Sequence, residues 1–341
     1  MRGVPVVKSV LLIRLSSLGD VVLTTPVAAN LKRAGLRVAV LTRRAFAPLF
    51  EGNPTVDEVF VFEDRGVWGW ARAIRARRFD AVIDLHGTGR SRLWSMVSGA
   101  TRRVRYDKRA AARRRLVWTK KAAPTLAGGV VDRYLETLAA LGVPAVERTP
   151  RLYPSREDRP SADFAEALGD SPFLVLAPGA QHATKRWPAE RFAAVADRWL
   201  SERPNARAVL LGAATDIPAG AAVRAAMDRP VVDWVGRTSL AEMLRILNRA
   251  ALVVTNDSGA THVAAALGRP TVAVFGPTVR EFGFFPVGPR VAVVEGGPLP
   301  CRPCALHGKP RCPEGHFRCM TDIPVEHVLA AARVVAGEPR P

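Results

Sequence analysis

Short apolar strands alternate with helix-like stretches along almost the whole chain, and this alternation restricts the possible folds most strongly. Segments such as VLLIRL (10–15) and PFLVLAPGA (172–180) are almost entirely apolar, which is typical of strands that are covered on both faces. Helix-like stretches lie between them, for example Val21–Ala34 and Ala189–Leu200. Repeated strand–helix units predict an α/β protein whose parallel sheets carry helices on both faces.

A proline-rich segment with little periodicity, residues 144–160, separates two such series. The 341 residues are enough for two domains of ordinary size. We therefore predict an N-terminal Rossmann-like domain over residues 1–150, a linker over 151–160 and a C-terminal Rossmann-like domain over 161–341.

No apolar run in the sequence approaches the roughly 20 residues that cross a bilayer. The apolar core of the N-terminal segment, Val10–Ile13, is also too short for a signal peptide. We expect a cytoplasmic protein that can associate with the inner face of the membrane.

Positive charge is the main compositional feature: the formal net charge is +19 and the pI is about 11.1. Ten basic residues and one acid, Asp107, lie between Arg102 and Lys121. Such charge indicates an anionic partner. Aromatic residues are few in this stretch (Tyr106 and Trp118) and no nucleic-acid-binding signature accompanies it, so a specific nucleic acid is not expected. A surface held near anionic lipid is preferred, and a solvated loop or compositional bias is the alternative.

The segment LVVTNDSGATHVAAALGRPTVAVFGPT (252–278) predicts a strand, a polar turn, a helix, a second strand and a Gly-Pro-Thr turn. A helix that begins at the carboxyl end of a parallel strand directs free N–H groups at a ligand and favours anions. Ser258 adds a hydroxyl donor. The pattern predicts a phosphate site, with an ordinary strand–helix–strand unit as the alternative.

Two other turns follow predicted strands. In RLSSLGD (14–20), Asp20 lies where a helix begins, so it is either an ordinary cap or a general base at a strand end. In APGAQHATKRWP (177–188), Gly179 permits an unusual backbone turn, Thr184 offers a hydroxyl, and Lys185 supplies a charge that suits a diphosphate. The loop does not have the Walker A pattern.

Together with GRTSL (236–240) and DLHGTGRSRL (84–93), these segments resemble the ADP-heptose-dependent heptosyltransferases of lipopolysaccharide core synthesis, in glycosyltransferase family 9. The resemblance covers nearly the whole chain and is slightly closer to the second-heptose enzymes. It implies an inverting enzyme with the GT-B fold, in which two Rossmann-like domains with parallel sheets face each other across a cleft. It also implies an ADP-heptose donor bound mainly by the second domain, and a Kdo/heptose-lipid A acceptor, the lipopolysaccharide inner core, bound by the first. A family 9 enzyme that uses another nucleotide sugar, or a non-catalytic basic protein that binds nucleotides or nucleic acid, remains an alternative.

The resemblance also assigns roles to individual residues. Asp20 corresponds to the catalytic base, and Lys185 to the lysine that neutralises the leaving diphosphate. The expected donor-binding residues are Gly179, Thr184, Thr238 (at the adenine), Asp257 (at the sugar), Ser258, Gly259 and His262. The expected acceptor-binding residues are Ser17, Asp84, Arg90 and Ser91. Direct displacement implies no cofactor for the transfer itself.

All four cysteines lie within residues 301–319, which we call the cysteine-rich segment: Cys301, Cys304, Cys312 and Cys319. Their spacing predicts a structural Zn²⁺ site, with His307 and His316 as alternative ligands. In a cytoplasmic protein a metal is favoured over two disulfides. Redox-sensitive pairing and free thiols remain open. Because the segment lies away from the transfer motifs, it is expected to stabilise the protein rather than to take part in catalysis.

Overall fold

The computed structural model describes residues 7–63, 66–154 and 159–337. The chain divides into two compact units, one formed by residues 1–110 with 128–153 and the other by 111–127 with 154–341. Each unit contains one sheet of parallel strands with helices between consecutive strands. The α/β class predicted from the alternation is confirmed.

The strands of the described residues are β1 (Ser9–Ile13), β2 (Arg37–Arg43), β3 (Glu58–Phe62), β4 (Ala81–Asp84), β5 (Arg102–Arg105), β6 (Phe173–Ala177), β7 (Arg207–Leu210), β8 (Val231–Asp233), β9 (Leu252–Asn256), β10 (Thr271–Phe275) and β11 (Val291–Glu295). The α-helices are α1 (Leu18–Val22), α2 (Thr25–Arg33), α3 (Gly66–Ala76), α4 (Gly89–Val97), α5 (Ala110–Thr119), α6 (Val130–Leu135), α7 (Ala162–Leu168), α8 (Ala189–Ser201), α9 (Ile217–Ala226), α10 (Leu240–Arg249), α11 (Gly259–Ala266), α12 (Arg318–Thr321) and α13 (Val325–Ala336).

The sheet of the first unit has the strand order β3-β2-β1-β4-β5, with β1 at its centre. Val10 of β1 pairs with Val38 on one side and with Ala81 on the other. The chain fills one half of the sheet before it returns to the other, so the direction of winding changes between β1 and β4. In open parallel sheets, ligands bind at the carboxyl ends of the strands at such a point.

The sheet of the second unit has the order β11-β10-β9-β6-β7-β8, and its winding changes between β6 and β9. Both of these strands are buried along their whole length. Helices α8 and α13 cover one face of the sheet with apolar side chains that include Phe192 and Val328. The loops after β6 and β9 therefore extend from a rigid core.

The region predicted as one helix over Val21–Ala34 forms two helices, α1 and α2. Pro26 is the second residue of α2. A proline has no backbone N–H, so it fits the first turn of a helix but interrupts one that runs through it.

The two units meet between residues 153 and 154, within the predicted linker. Residues 144–153 belong to the first unit, where Asn30 Oδ1 accepts hydrogen bonds from the N–H groups of Val146 and Glu147. Residues 155–158 of the predicted linker lie outside the described residues. Most of α5 belongs to the second unit, because Leu116 packs against Phe282 there.

None of the helices in the described ranges is both long enough and apolar enough to cross a membrane.

Candidate active site

Asp20 lies at the carboxyl end of β1, on the first turn of α1. Its Oδ2 accepts hydrogen bonds from the backbone N–H of Ser17 (3.2 Å) and from the Ser17 hydroxyl (2.7 Å). Its Oδ1 lies 2.7 Å from Arg14 Nη2 and accepts a longer bond of 3.4 Å from the Tyr134 hydroxyl. Asp20 therefore caps its helix and also belongs to an ionic cluster, so the two sequence interpretations of this residue are compatible.

The surroundings of Asp20 hold it in the carboxylate form. Burial raises the pKa of Asp20. The Arg14 guanidinium and the hydrogen bonds from Ser17 lower this pKa by more than burial raises it, so the net pKa is below the usual value. Burial raises the pKa of the Tyr134 hydroxyl well above its ordinary value, so that group stays protonated and can donate. The cluster presents a charged oxygen acceptor, which a general base requires.

Arg14 and Tyr134 were not identified from the sequence. Arg14 belongs to the last turn of chain before α1, and its side chain is buried between Asp20 and the Tyr134 ring, with its guanidinium 5.7 Å from the ring centre. A charged residue directly after an apolar strand was the available signal, because a buried arginine needs a partner.

Asp84 and Ser91 build the turn after β4. Both are fully buried. Asp84 Oδ1 accepts bonds from the N–H groups of His86 (2.9 Å) and Gly87 (2.8 Å), and Oδ2 accepts one from the Ser91 hydroxyl (2.9 Å). Asp84 is only 1% exposed, whereas the Asp20 side chain is 16% exposed. The geometry therefore gives Asp84 and Ser91 a role in shaping the loop rather than the expected acceptor contact.

The other two expected acceptor residues are exposed. The Arg90 guanidinium lies over the rings of Phe62 (5.2 Å) and Trp94 (5.7 Å). The Ser17 hydroxyl donates to Asp20. Arg90 therefore offers a positive charge at the start of α4, and Ser17 orients the carboxylate of Asp20, three residues further along the chain.

In the second unit, loops after three neighbouring strands meet at Asp257. Lys185, in the 3-10 turn Ala183–Lys185 after β6, places Nζ 2.7 Å from Asp257 Oδ2. Thr278, after β10, donates its hydroxyl to the same oxygen at 2.6 Å. The Lys185 and Asp257 side chains are 15% and 8% exposed, so the pair is largely shielded from solvent screening.

Asn256 fixes the two central loops against each other. It is fully buried at the end of β9, where its Oδ1 accepts from the backbone N–H of Trp187 (3.0 Å) and its Nδ2 donates to the Pro178 carbonyl (2.7 Å). From the sequence, Asn256 is predicted only to favour a turn. A polar residue at the end of an apolar strand was the signal for this second role.

Two residues of the loop after β6 have roles other than those expected. Gly179 has an ordinary backbone conformation, and it is a glycine because any Cβ there would overlap the Asp216 carboxylate. Thr184 is 2% exposed, and its hydroxyl is hydrogen-bonded to the backbone of Lys309. The Thr184 hydroxyl therefore joins this loop to the Lys309 backbone instead of contacting a ligand.

Helix α11 begins at Gly259, with Ser258 as its extended N-cap. The Ser258 hydroxyl lies 3.2 Å from Thr255 Oγ1 and does not cap the helix. His262 is buried in the helix at 6% exposure. Thr238 follows β8 at the edge of the sheet, apart from the Lys185 pair at the ends of β6, β9 and β10.

Comparison with known proteins identifies the family. Residues 67–312 match the family described as glycosyltransferase family 9 (heptosyltransferase). Lipopolysaccharide heptosyltransferase 1 of Pseudomonas aeruginosa is 30% identical over 95% of this chain and 94% of its own length. The chain belongs to glycosyltransferase family 9. It is therefore a glycosyltransferase, as the resemblance implied.

Further relatives agree with this assignment. Lipopolysaccharide heptosyltransferase 2 of Escherichia coli is 36% identical over 33% of each chain. Among solved structures, a family 9 glycosyl transferase of Veillonella parvula has a TM-score of 0.77 and 24% identity, covering 96% of this chain and 97% of its own. E. coli ADP-heptose lps heptosyltransferase II has a TM-score of 0.76 and 22% identity, covering 96% of this chain and 98% of its own. The predicted GT-B fold class is confirmed.

The four cysteines of this family 9 enzyme are not joined by disulfides. All four thiols are free, and Cys301 Sγ lies 4.0 Å from His316 Nε2. In the described part of the chain, no three Cys, His, Asp or Glu side chains are grouped as metal ligands. Burial raises the pKa of Cys319 to about 11, so its thiol is protonated at neutral pH. Zinc binding stays a prediction, which metal analysis of the purified protein tests.

The cysteine-rich segment is not remote from the transfer motifs, although the sequence placed it apart. The backbone of Lys309 bonds to Thr184, and Arg302 donates to the Thr278 carbonyl (2.9 Å). These contacts correct the expected distance between the cysteine-rich segment and the transfer motifs.

Proposed function

We propose that this family 9 enzyme transfers heptose, with inversion, from ADP-heptose to the lipopolysaccharide inner core. The observation that carries the proposal is the Lys185–Asp257 pair beside the amino end of α11, at the point where the winding of the second sheet changes. The P. aeruginosa and E. coli relatives are lipopolysaccharide heptosyltransferases, which supports this choice of donor and acceptor.

The donor site suits a nucleoside diphosphate sugar. The N–H groups of the Ser258–Gly259 turn and the helix dipole favour the diphosphate. Lys185 shifts its charge from Asp257 toward the leaving ADP, where negative charge grows as the glycosidic bond breaks. Asp257 then accepts hydrogen bonds from the sugar hydroxyls, and Thr238 contacts the adenine.

Asp20 acts on the acceptor. It takes the proton from an acceptor hydroxyl as that oxygen forms a bond to the anomeric carbon, and the bond from this carbon to the ADP oxygen breaks on the opposite face. Arg14 and the Ser17 hydroxyl hold the carboxylate in the charged form that accepts the proton. The exposed Arg90 attracts the carboxylates and phosphates of a Kdo/heptose-lipid A acceptor.

The experiment that tests this function offers the enzyme ADP-heptose, GDP-sugars and UDP-sugars together with a Kdo-lipid A acceptor, and follows nucleotide release and the glycosylated lipid. Transfer from ADP-heptose supports the proposal. Transfer only from another nucleotide sugar identifies the alternative donor, and nucleotide release without the acceptor product overturns the proposed acceptor.

The basic helix α5 supports peripheral association with an anionic membrane, on the cytoplasmic side where such an acceptor would be reached. One face of α5 is held against the protein by Leu116 and by the guanidinium of Arg113, which lies 5.3 Å from the Phe284 ring centre. The opposite face carries Arg114, and Trp118 is 87% exposed. An exposed tryptophan among cations is typical of interfacial anchors, and each cation contributes about 1 kcal/mol near an anionic surface.

Co-sedimentation with phosphatidylglycerol vesicles and with phosphatidylcholine vesicles tests this association. We expect binding to the anionic vesicles only, weakened roughly fivefold by Arg114→Gln and also by Trp118→Ala. Trp68→Ala is the matched control, because Trp68 is 72% exposed on α3 in the first unit. Equal loss in the control, or binding to duplex DNA in preference to vesicles, contradicts the assignment.

A further inference from the structure

The cysteine-rich segment contacts the loop of Lys185 directly. The backbone N–H of Lys309 donates to Thr184 Oγ1 at 2.8 Å, and the Lys309 carbonyl accepts from the Thr184 N–H (3.2 Å) and hydroxyl (3.0 Å). Thr184 immediately precedes Lys185 in the 3-10 turn. Three hydrogen bonds therefore fix the turn that presents the lysine.

The segment also packs against the stem of Lys185 through Gly308. A Cβ on Gly308 would lie 3.1 Å from His182 Cβ, 3.2 Å from Lys185 Cγ and 3.2 Å from Thr184 Oγ1. The φ angle of Gly308 is +89°, in the left-handed region that side chains rarely adopt. A side chain at position 308 would therefore be strained in its backbone and would also push the Lys185 loop back by a few tenths of an ångström.

A second contact reaches the partner of Lys185. Arg302 Nη2 donates to the Thr278 carbonyl at 2.9 Å, and Thr278 in turn donates its hydroxyl to Asp257. Arg302 is itself fixed by Glu295, at 2.6 Å. The same segment thus supports both members of the Lys185–Asp257 pair.

We propose that Gly308, the Lys309 peptide and Thr184 are positioning residues for Lys185, and that the cysteine-rich segment holds this lysine in place for its action on the leaving group. The proposal rests on the proposed function for the role of Lys185. A lysine that stabilises charge in the transition state must be held closely, because a displacement of about 1 Å can lower the rate on the order of 10²-fold.

The glycines of the segment supply a matched pair of variants. Gly308→Ala introduces a methyl group against the Lys185 loop. Gly315→Ala carries the same left-handed strain, with φ at +72°, but a Cβ there meets nothing within 4 Å. We expect Gly308→Ala to lower kcat on the order of 10-fold or more, with the KM for the donor changed less, whereas Gly315→Ala leaves both near the wild-type values. An equal loss of kcat in both variants would mean that the segment acts only through stability.

Thr184 tests whether the effect passes through Lys185. Thr184→Val removes the hydroxyl at similar volume, and Thr184→Ser keeps it. We expect the valine variant to lower kcat on the order of 10-fold and the serine variant to recover most of the rate. In a Lys185→Ala background the valine substitution is expected to have almost no further effect on kcat. A similar loss in both backgrounds overturns the proposal.

A chemical measurement separates this proposal from the proposed function. In the wild type, Lys185 is 15% exposed and paired with Asp257, so an amine-reactive acylating reagent should modify it slowly. Mass spectrometry is expected to show several-fold faster modification of Lys185 in Gly308→Ala but not in Gly315→Ala. Unchanged protection overturns the positioning role whether or not the enzyme uses ADP-heptose. If Lys185 is modified faster in Gly308→Ala but the wild-type enzyme does not turn over ADP-heptose, only the proposed function is overturned.

Discussion

The two units of this enzyme each place a carboxylate–cation pair at the carboxyl ends of a parallel sheet, but they build the pair differently. In the first unit, Arg14, Ser17 and Asp20 lie within seven consecutive residues. In the second unit, Lys185 and Asp257 come from loops that are far apart in sequence. A local pair depends on one helix start, whereas a long-range pair depends on every segment that holds its loops.

The units also differ in which partner is expected to take part in transfer. In the first unit the carboxylate of Asp20 is the proposed proton acceptor, and the Arg14 guanidinium lowers its pKa. In the second unit the cation Lys185 is the proposed stabiliser of the leaving group, and Asp257 is its ion-pair partner. Substitutions at the two pairs should therefore change different steps.

The largest expected effect is that of Asp20→Asn. Loss of the proton acceptor should lower kcat by roughly 10²–10⁴-fold, with the Kd for ADP unchanged because ADP is proposed to bind the second unit. Steady-state kinetics and calorimetric titration with ADP measure the two quantities.

The control is Asp80→Asn in the same unit. Asp80 Oδ2 accepts bonds from the N–H groups of Lys8 and Ser9 at the amino end of β1, so its loss should affect stability and leave the rate nearly unchanged. Full activity of Asp20→Asn would show that Asp20 is only a helix cap.

Lys185→Met should have the next largest effect. Removing one preorganised donor at the leaving group is expected to lower kcat on the order of 10²–10³-fold and also to weaken ADP binding. The control is Arg198→Gln, which breaks an exposed pair with Glu326 on the same unit and should change neither quantity measurably. If Lys185→Met binds ADP as tightly as the wild type, Lys185 does not contact the diphosphate.

Arg14→Gln should change the pH dependence of the first unit. Because burial raises the pKa of Asp20 and Arg14 lowers it, removal of Arg14 leaves the effect of burial and moves this pKa upward. The acidic limb of the pH profile of kcat/KM should then shift to higher pH, with a smaller shift for Arg14→Lys. A rate lowered by one constant factor at every pH would indicate a purely structural role.

The smallest expected effect concerns His86, whose pKa is lowered to about 4 by burial and by Arg14, Lys108 and Arg90, against an opposing effect of Asp20. An unfolded histidine has a pKa of about 6.5, so between pH 6.5 and 4 the unfolded chain binds more protons and stability falls as the pH falls. After solvent screening, we expect the free energy of unfolding to fall by about 1 kcal/mol over this pH range because of His86. Urea unfolding at several pH values measures it, and His86→Gln should flatten this part of the curve unless other groups cause it.

The local features could be predicted from the sequence. The β-branched apolar runs indicated the buried strands, and the SSLGD and NDSG turns indicated helix starts at strand ends, because caps and helix termini depend on neighbouring residues. The single helix predicted over Val21–Ala34 was wrong because the effect of Pro26 on the first turn of α2 was overlooked.

The contacts of the individual side chains could not be predicted in the same way. An aspartate such as Asp84 is a common ligand contact, but in the fold its carboxylate accepts three hydrogen bonds from its own turn and the start of α4. From the sequence, the Thr184 hydroxyl is expected to contact a ligand. In the fold, it accepts a hydrogen bond from the backbone N–H of Lys309. Whether a polar group faces a ligand or the protein depends on which backbone segment passes beside it.

The sequence by itself determined the alternation of strands and helices, the α/β class and the turns that carry Asp20, Lys185 and Asp257, because these follow from local propensity and periodicity. Only the tertiary structure decided three sets of contacts. These are the contacts of Asp257 with Lys185 and Thr278, the hydrogen bonds of Asn256 to the loop after β6, and the contact of Lys309 with Thr184. These partners are separated by up to 125 residues along the chain, so their meeting depends on strand order and loop packing, which no local pattern records.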